Sequence, residues 1–258
     1  MLEIKSILEN FKPIELQEMD EVALMERTDE KYTVKFKEII NMLHLIHKTY
    51  RCLEIDNERL FNYQTEYFDD NECILHKNHQ NGKLNRYKIR FRDYIQSRIT
   101  FLEIKFKSNK GITQKSRIKV PFKSRSDRDE CNQFITENTP FNPKKFDITL
   151  TNSFDRITLV NLSTKERVTM DINLKFNNQN GTKELPELGI IEVKREKGNR
   201  KSEILSLLKN KGIRPTSFSK YTIGSVLLNP ELKYNNFKKK LLFINKISTN
   251  GNIWNTNF

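Results

Sequence analysis

Polar and apolar positions alternate strictly through residues 85–94, NRYKIRFRDY. Arg86, Lys88, Arg90 and Arg92 share one parity, and Tyr87, Ile89 and Phe91 share the other. Successive side chains of a strand point to opposite faces, so the stretch predicts a strand with one cationic and one apolar face. The period recurs in FLEIKFK, where Glu103, Lys105 and Lys107 oppose Leu102, Ile104 and Phe106. In QKSRIKV, Lys115, Arg117 and Lys119 oppose Ser116, Ile118 and Val120. Residues 165–176 set Lys165, Arg167, Thr169, Asp171 and Lys175 against Val168, Met170, Ile172, Leu174 and Phe176. In IIEVKRE, Glu192, Lys194 and Glu196 face away from Ile191 and Val193.

Strand patterning is expected at 50–55, 61–68, 85–94, 98–107, 114–120, 146–152, 155–161, 166–176 and 188–196. Helical spacing appears at 34–48, through Phe36, Ile39, Ile40, Leu43 and Ile46, and an amphipathic start is expected in MLEIKSILENF. Another helix is expected from Ser126, with acids in its first turn. The last quarter reads as helical, from a cap near Ser202 and again through SFSKYTIGSVLL, before an Asn-rich tail from about 247 to 258. Consecutive strands with few long connections predict an α+β chain built on an antiparallel sheet or barrel with helices around it. No linker or repeat interrupts residues 1–258, and one domain is expected.

Charge sharpens this picture. The chain has 46 Lys and Arg against 33 Asp and Glu, a net charge of +13, which points to an anionic partner. Apolar runs fall short of the roughly 20 residues of a membrane span. Cys52, Cys73 and Cys131 show neither a disulfide framework nor zinc spacing, as expected of a cytoplasmic protein. Arg86, Lys88, Arg90, Arg92, Arg98, Lys105, Lys107, Lys115, Arg117 and Lys119 lie on three successive strands, with only Glu103 and Asp93 among them. Two like charges about 5 Å apart, at an effective dielectric of about 20, repel by roughly 3 kcal/mol. A plain solvated face would mix signs. A barrel enclosing such a face would be a cationic tube suited to linked phosphates and too narrow for duplex DNA. The aromatic residues alternate away from the cations, unlike the stacking platforms of nucleic-acid readers.

Seven stretches in order carry a resemblance: ERTDEKY (26–32), YQTEYFDD (63–70), HQNGKLNRYKIRFRDY (79–94), FLEIKFKSNKGITQKSRIKV (101–120), RVTMDINL (167–174), IIEVKRE (190–196) and SKYTIG (219–224). Over about residues 20–230 the chain resembles the VTC domain of polyphosphate polymerases, within the triphosphate tunnel (CYTH-like) superfamily, in its short stand-alone bacterial form. The resemblance implies an eight-stranded antiparallel tunnel-forming barrel that takes ATP and a growing polyphosphate. It implies catalytic roles for Arg90, Arg92, Lys105 and Lys194. Substrate binding falls to Arg27, Lys31, Lys88, Lys115, Arg117, Arg156, Arg167, Ser219 and Lys220, and a metal, Mn²⁺ or Mg²⁺, falls to Glu192. A polymerase that exports its product would use a separate membrane partner, and no residue here specifies one.

Two other activities fit the same chemistry. A tunnel triphosphatase would let water reach the γ-phosphorus, but hydrolytic relatives tend to carry paired Glu on the first strand, where Glu26 and Glu30 take the opposite parity to Arg27 and Lys31. A non-catalytic binder of polyphosphate or RNA would use the cations alone. His76 and His79, spaced HxxH, lack a third ligand and read as structural.

Overall fold

The computed structural model describes residues 2–19, 27–123, 128–199 and 201–248. In chain order its elements are α1 (Leu2–Glu9), β1 (Lys12–Ile14), β2 (Arg27–Lys35), α2 (Phe36–Ile46), β3 (Arg51–Leu53), β4 (Phe61–Asp69), α3 (Ile74–Gln80), β5 (Arg86–Tyr94) and β6 (Ile99–Lys107). There follow β7 (Thr113–Val120), α4 (Arg128–Asn138), β8 (Asp147–Asn161), β9 (Glu166–Asn178), β10 (Gly181–Leu185), β11 (Leu188–Glu196), α5 (Glu203–Asn210), α6 (Lys220–Leu228) and α7 (Lys238–Ile247). The main strand order is β2-β11-β9-β8-β4-β5-β6-β7, eight strands. Of the ladders with described register, β11–β2, β11–β9, β3–β8, β4–β5, β5–β6 and β6–β7 are antiparallel, and β1–β3 is parallel. The expected α+β class and antiparallel sheet are what the chain forms.

Two compact units divide the chain. The first comprises 1–61, 154–174 and 185–218; the second comprises 62–153, 175–184 and 219–258. Strands β8 and β9 contribute residues to both.

In the first unit, β2, β11 and the shared strands bury Val34, Val168, Met170, Ile191 and Val193 beneath α1, α2 and α5. Helix α2 turns Ile39, Met42, Leu43 and Ile46 into that core, each 0% exposed, as a 3.6-residue apolar stripe requires. It starts at Phe36 rather than residue 34, because Val34 and Lys35 are still paired with Gly189 and Leu188 of β11. The Tyr50 hydroxyl donates to the buried Glu166 carboxylate.

In the second unit, Ile89, Phe91, Leu102 and Ile104 are buried on one face of the β4–β7 sheet. Helix α4 adds Ile135 on that side, and Phe146 follows it in the chain. Every residue of α6 from Tyr221 to Leu228 is buried, so this helix is a core element without a solvent face. At Gly224 it lies close against its neighbours: an added methyl group would overlap the Phe176 ring and meet Leu150 at 3.0 Å.

Several expectations are corrected. The segments 146–152 and 155–161 are one continuous strand, β8, of 15 residues. Helix α3 and strand β10 were not signalled by periodicity, and β2 precedes α2 where the helical pattern was read from 34. The start expected at Ser126 and the tail from 249 onward lie outside the described residues; the helix itself is described from Arg128. Among the described residues no helix is long and apolar enough to cross a membrane.

Candidate functional site

Register turns the sequence alternation of the second unit into rows. Lys88 of β5 pairs with Lys105 of β6, which pairs with Lys115 of β7. The next row is Arg90, Glu103 and Arg117, and the next Arg92, Phe101 and Lys119. On β4, Tyr67 sits opposite Arg90 and Thr65 opposite Arg92. Three lysines therefore stand side by side in one row, and an acid stands between two arginines in the next. The cationic parity of β5 holds no acid, and its counterion, Glu103, comes from the neighbouring strand. Arg90 donates to Glu103 through Nε at 2.8 Å and lies 2.6 Å from it through Nη2, and Arg92 Nε lies 3.9 Å away. Burial pushes the Glu103 carboxyl up, but Arg90, Arg92 and Arg117 outweigh it and hold it below the usual range. The Arg117 guanidinium also stacks 4.5 Å over the Phe101 ring. Lys105, Lys115 and Arg117 are exposed, whereas Lys88, Arg90 and Arg92 are half-buried.

Helix α6 meets this face at its N-terminus. Ser219 caps it by accepting from Thr222 N at 3.3 Å, and the same oxygen accepts from Lys88 Nζ at 2.9 Å. Lys220 is the first helical residue. The Tyr221 hydroxyl donates to buried Asp69, and its ring stacks on Tyr67, centroids 5.1 Å apart. These contacts fix the start of the helix against β4 and β5.

The first unit carries the other nominated residues, also in rows. Asp29 of β2 pairs with Lys194 of β11, which pairs with Arg167 of β9. Lys31, Glu192 and Thr169 form the adjacent row, and Ile190 pairs with Asp171 in the one beyond. Arg27 lies opposite Glu196 and contacts Asp29 at 3.0 Å. Arg156 of β8 forks onto Asp171 at 2.6 and 2.8 Å. Glu192 is ion-paired with Lys31 and lies 3.6 Å from Lys194 Nζ. Burial would raise its carboxyl, but Lys31, Lys194 and Arg156 bring it down to about 2. Burial lowers Lys194 to about 8, helped by Arg167 and Arg156 against the pull of Glu192. Burial and the nearby Arg27 also lower Arg167.

The structure thus brings Arg27, Lys31, Arg156, Arg167, Glu192 and Lys194 together on one sheet face of the first unit. It brings Lys88, Arg90, Arg92, Lys105, Lys115, Arg117, Ser219 and Lys220 together in the second. Glu26 lies outside the described residues. Glu30 points to the other face of β2, accepting from Arg195 at 2.6 Å and Tyr32 at 2.8 Å. Asp29 is the acid that the sequence reading passed over, although its parity with Arg27 and Lys31 would have found it. His76 and His79 do not make a metal pair. His76 donates to Lys233 O at 3.1 Å, and both rings pack on Phe237. Burial, with Lys88 and Arg86 nearby, lowers His79 to about 2, so it stays neutral.

Among solved structures, the chain is similar to a candidate adenylate cyclase of Vibrio parahaemolyticus (11% identity, 78% of this chain and 98% of that one, TM-score 0.45). It is also similar to a candidate adenylyl cyclase of Hippeastrum described as having a dominant triphosphatase activity (16% identity, 78% and 95%, TM-score 0.47). A conserved hypothetical protein of Pyrococcus furiosus is similar at 10% identity over 75% and 98%, TM-score 0.41. No curated protein matches. A family profile, that of the VTC domain, matches residues 26–229, the span that holds every one of these cations from Arg27 to Lys220. The chain belongs to the VTC domain family.

Proposed function

We propose that this protein is a polyphosphate polymerase that moves the γ-phosphoryl group of ATP onto the end of a polyphosphate chain. The observation that carries this reading is the pair of sheet faces on which Lys and Arg stand in cross-strand rows. Phosphoryl transfer needs little covalent chemistry from a protein and depends on alignment and on neutralising charge as it develops. An oxygen of the terminal phosphate of the chain attacks the γ-phosphorus, the bond from that phosphorus to the β,γ-bridging oxygen breaks, and ADP leaves. No side-chain nucleophile takes part. Arg90 and Arg92 supply planar forks for phosphate oxygens, while Lys105 and Lys194 supply point charges on mobile stems.

A divalent cation suits one residue in particular. Among the described residues no group of three or more His, Cys, Asp or Glu is placed to hold a metal. Mg²⁺ and Mn²⁺, however, commonly take one or two carboxylates and complete their shell with water and substrate phosphates. Glu103, Asp171 and Asp29 each have an arginine partner. Glu192 is held by two lysines, Lys31 and Lys194. Their ammonium groups can swing onto phosphates and leave an ionised carboxylate for Mn²⁺ or Mg²⁺. Bound there, the ion would offset charge on the phosphate oxygens.

The test is incubation of purified protein with ATP and Mn²⁺, followed by gel separation of acid-stable polymer. Polymer together with ADP is the expected result. Release of orthophosphate alone would make the protein a triphosphatase, and absence of ADP would make it a binding module; either overturns the proposal.

A further inference from the structure

The cationic face of the second unit runs into aromatic rings. Tyr87, Phe91 and Phe106 turn away from the cations, as the alternation predicts, but Tyr63, Tyr94 and Phe101 do not. Tyr94 shares the parity of Arg90 and Arg92 on β5, and Phe101 shares that of Glu103 and Lys105 on β6. Tyr63 of β4 lies directly opposite Tyr94. The Tyr94 ring meets both of the others, its centroid 4.9 Å from that of Tyr63 and 5.9 Å from that of Phe101.

Cross-strand aromatic pairs stabilise many sheets by packing alone, but two observations point to a ligand here. All three rings stay partly exposed, on the side of the sheet away from the buried Ile89, Phe91 and Leu102. Guanidinium groups also share their surface: Arg117 lies 4.5 Å over the Phe101 ring, and Arg92 lies 5.9 Å from the Tyr63 centroid. Aromatic faces interleaved with phosphate-seeking cations are what a nucleotide needs, since the base stacks and the phosphates pair.

We propose that Tyr63, Tyr94 and Phe101 seat the base of a purine nucleoside triphosphate whose phosphates lie on the neighbouring cations. Successive rows on one sheet face are two residues apart, about 7 Å. A triphosphate gripped at Arg90 and Arg117 therefore carries its sugar over the Arg92 row and its base to Tyr94, one row further on. Along β4 to β7 those last two rows are Thr65–Arg92–Phe101–Lys119 and Tyr63–Tyr94–Ile99. Neither holds an amide or carboxylate that could read a base edge, so recognition rests on stacking. Large bases are favoured over small ones, and adenine is not told from guanine. The inference rests on the reading of this face as a phosphate site, and not on polymer synthesis.

Calorimetric titration of the full chain in EDTA with ATP, GTP, CTP and tripolyphosphate tests it, since binding without metal is independent of turnover. ATP and GTP should bind alike, and each about threefold or more tightly than CTP, which carries the same charge. Tyr94→Leu should weaken ATP about fivefold or more while tripolyphosphate stays within about twofold, and Tyr94→Phe should bind ATP as the wild type does. Should Tyr94→Leu lower the Tm so far that it does not fold, the ATP-over-CTP preference of the unaltered chain decides. Equal affinity for ATP and CTP, or a Tyr94→Leu loss shared equally by tripolyphosphate, would reduce the rings to sheet packing and overturn the assignment. Tighter binding of an oligoribonucleotide that lacks a triphosphate would make this an RNA face and overturn it too. Failure of tripolyphosphate itself to bind would sink the phosphate reading, and the base seat with it.

Discussion

Glu192 and Lys194 differ in how they answer the same surroundings, and each yields a prediction. Glu192 stays ionised because Lys31 and Lys194 outweigh its burial. Glu192→Gln keeps the side-chain volume and removes the charge. Tripolyphosphate binding in EDTA should then hold or tighten, since an internal competitor is gone, while Mn²⁺-dependent ADP release should fall about tenfold or more. Equal loss of both would show that Glu192 serves the phosphate face only as structure. Lys194 has a folded pKa of about 8 against 10.5 ordinarily. Between those two values the unfolded chain carries more protons than the folded one, so stability rises with pH across that window. Phosphate affinity moves the other way. Tripolyphosphate binding, followed by calorimetry from pH 7 to 9, should decline through about pH 8, and Lys194→Arg should flatten that decline.

At the scale of the element, α6 is exacting. Its residues from Tyr221 to Leu228 are buried, and Gly224 faces the Phe176 ring, with Leu150 behind. A methyl group there requires an aromatic ring to move, so Gly224→Ala should destabilise the protein by about 1–3 kcal/mol, visible as a lower Tm or denaturation midpoint. The sequence showed this helix but neither the capping role of Ser219 nor the close approach, which comes from the distant strands β8 and β9. The β5, β6 and β7 faces were legible because cations and large apolar groups alternate at period two within each strand. Their counterion pattern was not, because the bond between Arg90 and Glu103 depends on the β5–β6 register, which no local pattern contains. The break expected near residue 153 reflected the polar run TNSFD, which reads as a turn although β8 continues through it with Asn152 buried and bonded to Lys175 O at 2.9 Å. Helix α3 escaped notice because it is short and its burial rests on Leu75 and His76 packing against a later part of the chain.

For the molecule as a whole, the net charge of +13 implies binding that ionic strength can tune. Tripolyphosphate affinity should fall roughly tenfold or more between about 0.05 and 0.5 M salt, as the Debye length shrinks from above 10 Å to a few ångströms. A salt-insensitive affinity would argue against the cationic faces as its site. The strand order agrees with this charge: it places β5, β6 and β7 side by side so that their cations add up rather than disperse.

The acids already resident among those cations carry a further consequence. Glu103, Asp171, Asp29 and Glu192 each occupy a guanidinium or ammonium group that an incoming ligand would want. A visitor of low valence, such as chloride or orthophosphate, competes poorly with carboxylates tethered in place. A visitor carrying several linked charges can displace several tethers at once. Occupancy should therefore rise with ligand valence as a threshold, keeping the resting protein clear of the small anions that surround it.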